Sequence, residues 1–65
     1  MYIIKRESLD TPNWDVGYLE TFRDEQVFNV TVTCSSMLDA AEICSWLNGG
    51  RMPMIPTLKK AGFAS

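Results

Sequence analysis

The fold of this chain is constrained most by two consecutive segments. In each segment, the side chains alternate between two faces with a period of two. Residues 14–22 alternate an apolar, aromatic face with a mixed face, and residues 26–34 continue the alternation with many β-branched side chains. Only Arg23, Asp24 and Glu25 separate the two segments, a loop length typical of a β-hairpin. The predicted inward face carries Trp14, Val16, Tyr18, Phe22, Phe28, Val30, Val32 and Cys34. The sequence therefore predicts an antiparallel hairpin with an aromatic inward face.

The segments on either side of the hairpin complete a small domain. Residues 2–7 alternate as a strand and are followed by a turn that contains proline. After the hairpin, Ser36 can cap a helix whose apolar stripe runs to Leu47, and Gly49 can take the left-handed conformation that ends it. We therefore predict an α+β fold: a three-stranded antiparallel sheet (about residues 2–7, 14–22 and 26–34) with one helix (about 36–48) packed on one face.

Residues 51–65 differ in composition from the rest of the chain. They hold three basic residues and no acidic residue, and Pro53 and Pro56 stand close together. Because proline lacks an amide hydrogen, these two residues disfavour a regular helix or a central strand. We predict a single α+β domain over residues 1–50, followed by an irregular, basic tail that is either draped along the domain or disordered.

The residue types that most catalysis and metal binding require are missing. The chain contains no histidine, so it offers no imidazole base and no Ser-His or Cys-His pair. Its two cysteines, Cys34 and Cys44, do not form a Cys-x-x-Cys motif, and without histidine they make a poor zinc site. We therefore expect no enzymatic activity, no cofactor and no metal, and two reduced, buried thiols.

Two features bear on where the protein acts. The longest apolar stretch is far shorter than the roughly 20 residues of a membrane-spanning helix. Met1 leads directly into Tyr2-Ile3-Ile4, without a basic region followed by a long apolar stretch. We therefore expect a cytoplasmic protein that does not bind a membrane.

Charge is distributed unevenly along the chain. Residues 1–50 contain eight acidic and three basic residues, a balance of 3 − 8 = −5, whereas residues 51–65 contribute +3, giving −2 in total. An acidic body disfavours direct binding of nucleic acid and favours a basic partner surface, although an ordinary solvated acidic face is the alternative. The candidate partner-binding residues are the acids of the hairpin and helix, together with a tryptophan at the border of the helix's apolar stripe: Asp15, Glu20, Asp24, Glu25, Asp39, Glu42 and Trp46.

Two short motifs resemble those of very small proteins from phages and mobile elements. Trp14-Asp15-Val16-Gly17-Tyr18 resembles their W-x-V-G-Y/F strand, and Leu47-Asn48-Gly49-Gly50 resembles the end of the helix that follows it. Such proteins are similar in character to anti-CRISPR proteins, several of which present carboxylates to DNA-recognition surfaces. The resemblance therefore implies a phage-encoded, stoichiometric inhibitor of a CRISPR effector, or of another basic nucleic-acid-binding host protein, in the bacterial cytoplasm.

Two other functions stay open at the level of sequence. One is a homodimeric structural or assembly module, in which a second copy covers Ile3, Leu19 and Trp46. The other is a nucleic-acid binder that uses Lys59 and Lys60, which the net charge of −2 disfavours. The sequence does not decide between a monomer and a homodimer.

Overall fold

The computed structural model describes residues 1–64 and shows one antiparallel sheet with a helix packed on one face. The four strands lie in the sheet in the order in which they follow one another in the chain, so each strand pairs with its neighbours in the chain. The α+β prediction is confirmed, with four strands rather than three. No helix within residues 1–64 has the length and apolar character needed to cross a membrane. The elements are β1 Ile3–Arg6, β2 Trp14–Phe22, β3 Glu25–Cys34, α1 Met37–Leu47, α2 Ile55–Lys60 and β4 Gly62–Phe63.

The core lies between α1 and the sheet face that we call the inner face. Tyr2, Ile4 and Trp14 pack against this core from the sheet, and they are partly buried. Its fully enclosed part is small, which is expected for a domain of this length. The buried apolar residues are Val16, Val32, Cys34, Ala40, Ile43 and Cys44.

A β-bulge interrupts the pairing of β2 with β3. Val16 lies opposite Val32, but the next residue, Gly17, lies opposite Val30, so Thr31 is an extra residue on β3. Because side chains alternate between faces, one extra residue reverses the direction of every β3 side chain before it. The bulge therefore divides β3 into two halves with opposite orientation.

The reversal corrects part of the predicted inward face. Val32 and Cys34 face the core as predicted, and both are buried. The prediction that Phe28 and Val30 also point inward is wrong, because they lie opposite Leu19 and Gly17 on the outer face of the sheet. The sequence pattern alone places these two side chains under the helix, whereas the bulge exposes them on the far side.

Contacts above Gly17 support the outward position of Phe28. A Cβ at Gly17 would lie 3.1 Å from the Cζ atom of the Phe28 ring, closer than an ordinary contact, so the ring lies over the space that Gly17 leaves open. Lys5 extends across the same face, with its Nζ atom 5.5 Å from the centroid of that ring. The missing side chain at Gly17 thus leaves room for the Phe28 ring on the outer face.

Helix α1 begins and ends with the predicted signals. The hydroxyl of Ser36 accepts a hydrogen bond from the backbone amide of Asp39 at 3.2 Å, which satisfies one free amide of the first turn. Gly49 has a φ of 100° after the last turn, as the helix end requires. Asn48 also binds the start of the chain, since its side chain accepts from the Tyr2 amide at 2.7 Å and donates to the Tyr2 carbonyl at 2.9 Å. The L-N-G-G motif therefore ends the helix and fixes the chain before β1.

The prediction of an irregular tail is wrong for two of its segments. Residues 55–60 form α2, and Pro56 is tolerated because it stands in the first helical turn, where its missing amide hydrogen has no partner to lose. The short strand β4 then pairs with Val32 and Thr33, and the Ala64 amide donates to the Thr31 carbonyl at 2.8 Å. The tail therefore runs back along the domain and covers one end of the β3 edge.

Candidate partner-binding surfaces

The end of the hairpin forms a two-stranded arm. Strand β1 pairs only with residues 14–17 of β2, and β4 pairs only with Val32 and Thr33 of β3. Residues 18–29, which we call the hairpin arm, therefore pair only with each other within the described chain. The molecule is elongated, measuring 39 × 30 × 20 Å. An arm of this kind offers both of its faces to other molecules.

Three of the predicted acids lie on this arm and are exposed. Glu20 accepts a hydrogen bond from the Asn29 side chain at 3.2 Å, and Asp24 and Glu25 stand at the turn. Arg23 and Asp24 have φ values of 51° and 67°, so the turn uses two residues in the left-handed region. With one base and three acids, the arm carries 1 − 3 = −2. The hairpin arm is thus exposed and carries a net negative charge.

Apolar side chains stand beside these carboxylates on the inner side of the arm. Glu20, Phe22, Val27 and Asn29 line a shallow groove there. Phe22 is 61% exposed and Val27 is 44% exposed, because α1 does not extend over this end of the sheet. The Arg23 guanidinium lies 5.3 Å from the Phe22 ring centroid and partly shields that ring. Sequence reasoning did not select Phe22 or Val27, because it placed Phe22 under the helix.

Asp15 lies apart from the arm acids. It is on the outer face, directly opposite Lys5 in the β1–β2 register. One of its carboxylate oxygens accepts a hydrogen bond from the Thr33 hydroxyl at 2.8 Å. This carboxylate is therefore already engaged within the sheet and does not join the acids at the hairpin end.

The two helix acids contact the tail. The Asp39 carboxylate forms an ion pair with the Lys60 ammonium at 3.1 Å, and only 15% of its side chain is exposed. Glu42 accepts a hydrogen bond from the Thr57 hydroxyl at 3.4 Å. Trp46 is half-buried and packs against the core. The seven predicted residues therefore do not form one acidic surface: three are together on the arm, and four are elsewhere.

A second groove runs beside Glu42, between α1 and the start of the tail. Its volume is about 460 Å³, and it is open to solvent. It combines small helix residues with two methionines, a carboxylate and a guanidinium. Its lining residues are Ala41, Glu42, Ser45, Arg51, Met52, Pro53 and Met54.

Within residues 1–64, the cysteines and acids form no metal-binding cluster, and Cys34 is poorly placed to react as a thiolate. Burial raises the pKa of the Cys34 thiol, and the nearby charges of Asp39 and Asp15 raise it further. A buried thiol with a raised pKa stays protonated at neutral pH and is a poor nucleophile. Within residues 1–64, no group of three or more cysteine or acidic side chains is placed to hold a metal ion.

Replacing Lys60 with glutamine should loosen the tail without unfolding the domain. An exposed ion pair contributes about 0–1 kcal/mol, and the Lys60 side chain is 61% exposed. We expect hydrogen exchange at the Ala64 amide, which bonds to Thr31, to accelerate about two- to fivefold. The control is Lys59→Gln, which removes the neighbouring charge without removing an ion pair of the described residues. Equal acceleration in both variants would show that the ion pair does not hold the tail.

Comparisons of this chain with protein-family models, with curated proteins and with solved structures found no match.

Proposed function

We propose that the protein is a non-enzymatic inhibitor that binds a basic, nucleic-acid-binding protein stoichiometrically through the hairpin arm. One observation carries the proposal: exposed apolar side chains and three exposed carboxylates lie together on the inner side and tip of the arm. Apolar anchors surrounded by charge are the usual composition of a protein-binding hot spot. Carboxylates also accept paired hydrogen bonds from arginine, so the arm suits a surface that otherwise binds phosphates.

The proposed contact surface contains fewer residues than the surface predicted from sequence. It keeps the three carboxylates of the arm and adds Phe22 and Val27 as apolar anchors. Asp15 is left out because it lies on the outer face and bonds to Thr33. Asp39 is left out because the tail already pairs with it. Contact through the arm alone requires no movement of the tail.

The partner that we propose is a CRISPR effector in the bacterial cytoplasm. This choice rests on the resemblance of the strand and helix-end motifs to those of small phage proteins. It also agrees with the charge of the arm, because these effectors hold nucleic acid in a positively charged channel. An acidic arm inserted into such a channel would compete with DNA without any chemical step.

A double substitution at the turn tests the arm. Asp24→Asn with Glu25→Lys changes its charge by 1 + 2 = +3, and asparagine tolerates the left-handed conformation at this position. We expect the concentration that half-displaces labelled target DNA from a purified effector to rise at least about tenfold, because close charge pairs across an interface contribute strongly. Inhibition by the unaltered protein should also weaken as salt rises, since salt screens exposed charges.

A matched control applies the same change of charge away from the arm. Asp10→Asn with Glu7→Lys alters exposed residues in the loop between β1 and β2, at the other end of β2 from the turn. We expect this variant to inhibit within about twofold of the unaltered protein. Equal losses in the two variants would assign the effect to net charge and not to the arm. If the unaltered protein displaces DNA from no effector type, the proposed partner is wrong.

A further inference from the structure

The outer face of the sheet carries an apolar patch, which we call the outer patch and which consists of Ile3, Leu19, Phe28 and Val30. Ile3, Leu19 and Val30 are 37%, 51% and 39% exposed, and Phe28 is partly buried. Helix α1 packs on the inner face, and the tail contacts α1 and the β3 edge. Among residues 1–64, no helix or strand therefore covers the outer patch.

Two of the four side chains of the outer patch, Phe28 and Val30, face outward because of the bulge at Thr31. Without this extra residue, Phe28 and Val30 would point toward the helix together with Val32. Two contacts also position the patch, since the Phe28 ring lies over Gly17 and the Lys5 side chain crosses that ring. Exposed apolar surface that is held in place in this way is typical of an interaction site.

Charge indicates which partner the outer patch fits. The ionisable side chains placed on this face by the strand register are Lys5 and Asp15, which lie directly opposite each other. The face therefore has no net charge, although residues 1–50 as a whole carry −5. The charges on the face itself therefore favour neither a basic nor an acidic partner. Two identical copies each bring one lysine and one aspartate to the contact, so the charges on the two faces sum to zero.

We propose that the outer patch is the interface of a homodimer, in which a second copy of this chain covers it. Within residues 1–64 the buried hydrophobic core consists of six residues, and small domains commonly add stability by self-association. A two-fold dimer uses the same surface on both copies, so one symmetric contact buries the apolar side chains of the patch on each copy. The dimer does not depend on the partner of the hairpin arm, because the arm's inner side and tip stay free.

The oligomeric state of the full chain tests this interface. We expect light scattering after size exclusion to give twice the 7.3 kDa of one chain at the upper end of a concentration series from about 1 μM to about 1 mM. Leu19→Lys places an unpaired charge at the centre of the contact, so the dissociation constant should rise at least about 30-fold. Val30→Thr keeps the shape of the side chain and the strand, and it should raise the constant about three- to tenfold.

Two controls test whether dimerisation depends on the outer patch in particular. Leu38→Lys makes the same substitution on α1, where Leu38 is 74% exposed, and it should leave the dimer unchanged. The arm variant Asp24→Asn with Glu25→Lys should also remain dimeric. An unaltered protein that stays at the mass of one chain up to about 1 mM would overturn the proposal. It would also be overturned if folded Leu19→Lys and Val30→Thr variants dimerised as tightly as the unaltered protein.

Discussion

A Gly17→Ala variant is expected to lose about 3 kcal/mol of its free energy of unfolding. The added Cβ would overlap the Asn29 carbonyl oxygen and lie 2.9 Å from the carbonyl carbon, far inside van der Waals contact. These are backbone atoms of the paired strand, so they cannot rotate away as a flexible side chain would. Overpacking of this kind typically costs about 1–3 kcal/mol and occasionally more. A chain of this length has roughly 3–10 kcal/mol in total, so the loss is a large part of its stability.

Gly62→Ala provides the matched control for Gly17→Ala. Gly62 is also a sheet glycine, but a Cβ there would meet the Thr33 carbonyl oxygen at 3.6 Å, an ordinary contact. We expect its free energy of unfolding to change by less than about 0.5 kcal/mol. Urea unfolding followed by circular dichroism measures both variants. If Gly17→Ala were as stable as Gly62→Ala, the close approach of β2 and β3 at the bulge would be absent in solution.

The bulge explains which part of the fold could be predicted from sequence. The alternation of residues 14–22 and of residues 26–34 identifies the two strands of the hairpin, since each strand has a period of two. The extra residue at Thr31 leaves this period intact on either side of the bulge, so the pattern does not show that the two halves of β3 face opposite sides of the sheet. Gly17 was the available signal, because a glycine inside a strand often marks a bulge or a close approach of backbones.

The candidate sites could also be predicted only in part from sequence, for different physical reasons. Sequence identifies acids by position, and it correctly suggests that the turn residues Asp24 and Glu25 are exposed. It does not show that the tail returns to α1, where Lys60 pairs with Asp39. That contact joins residues distant in the chain, and it depends on a short helix that Pro56 starts rather than prevents.

An Ile43→Ala variant is expected to lose about 2–4 kcal/mol, the largest effect that we expect from any single truncation in the core. Ile43 is fully buried and lies on the α1 face that covers Val16 and Val32. Shortening a buried isoleucine to alanine loses the burial of three carbon atoms and leaves a cavity, which together cost about 2–5 kcal/mol. The better helix propensity of alanine returns only about 0.4 kcal/mol. The midpoint of its urea unfolding should therefore fall by at least about 1 M, because a small domain loses about 1–3 kcal/mol of stability per molar urea.

Leu38→Ala makes a comparable truncation on the exposed side of the same helix. Leu38 is 74% exposed, so we expect a change below about 0.5 kcal/mol, measured by the same urea unfolding. Both substitutions change the same helix. The difference between their free energies of unfolding therefore measures the packing of α1 on the inner face and not the intrinsic stability of the helix. If Ile43→Ala cost no more than Leu38→Ala, the helix would not be what buries the inner face. The hairpin arm would then have no rigid body to hold it, and both proposed interfaces would lack the fixed sheet on which they depend.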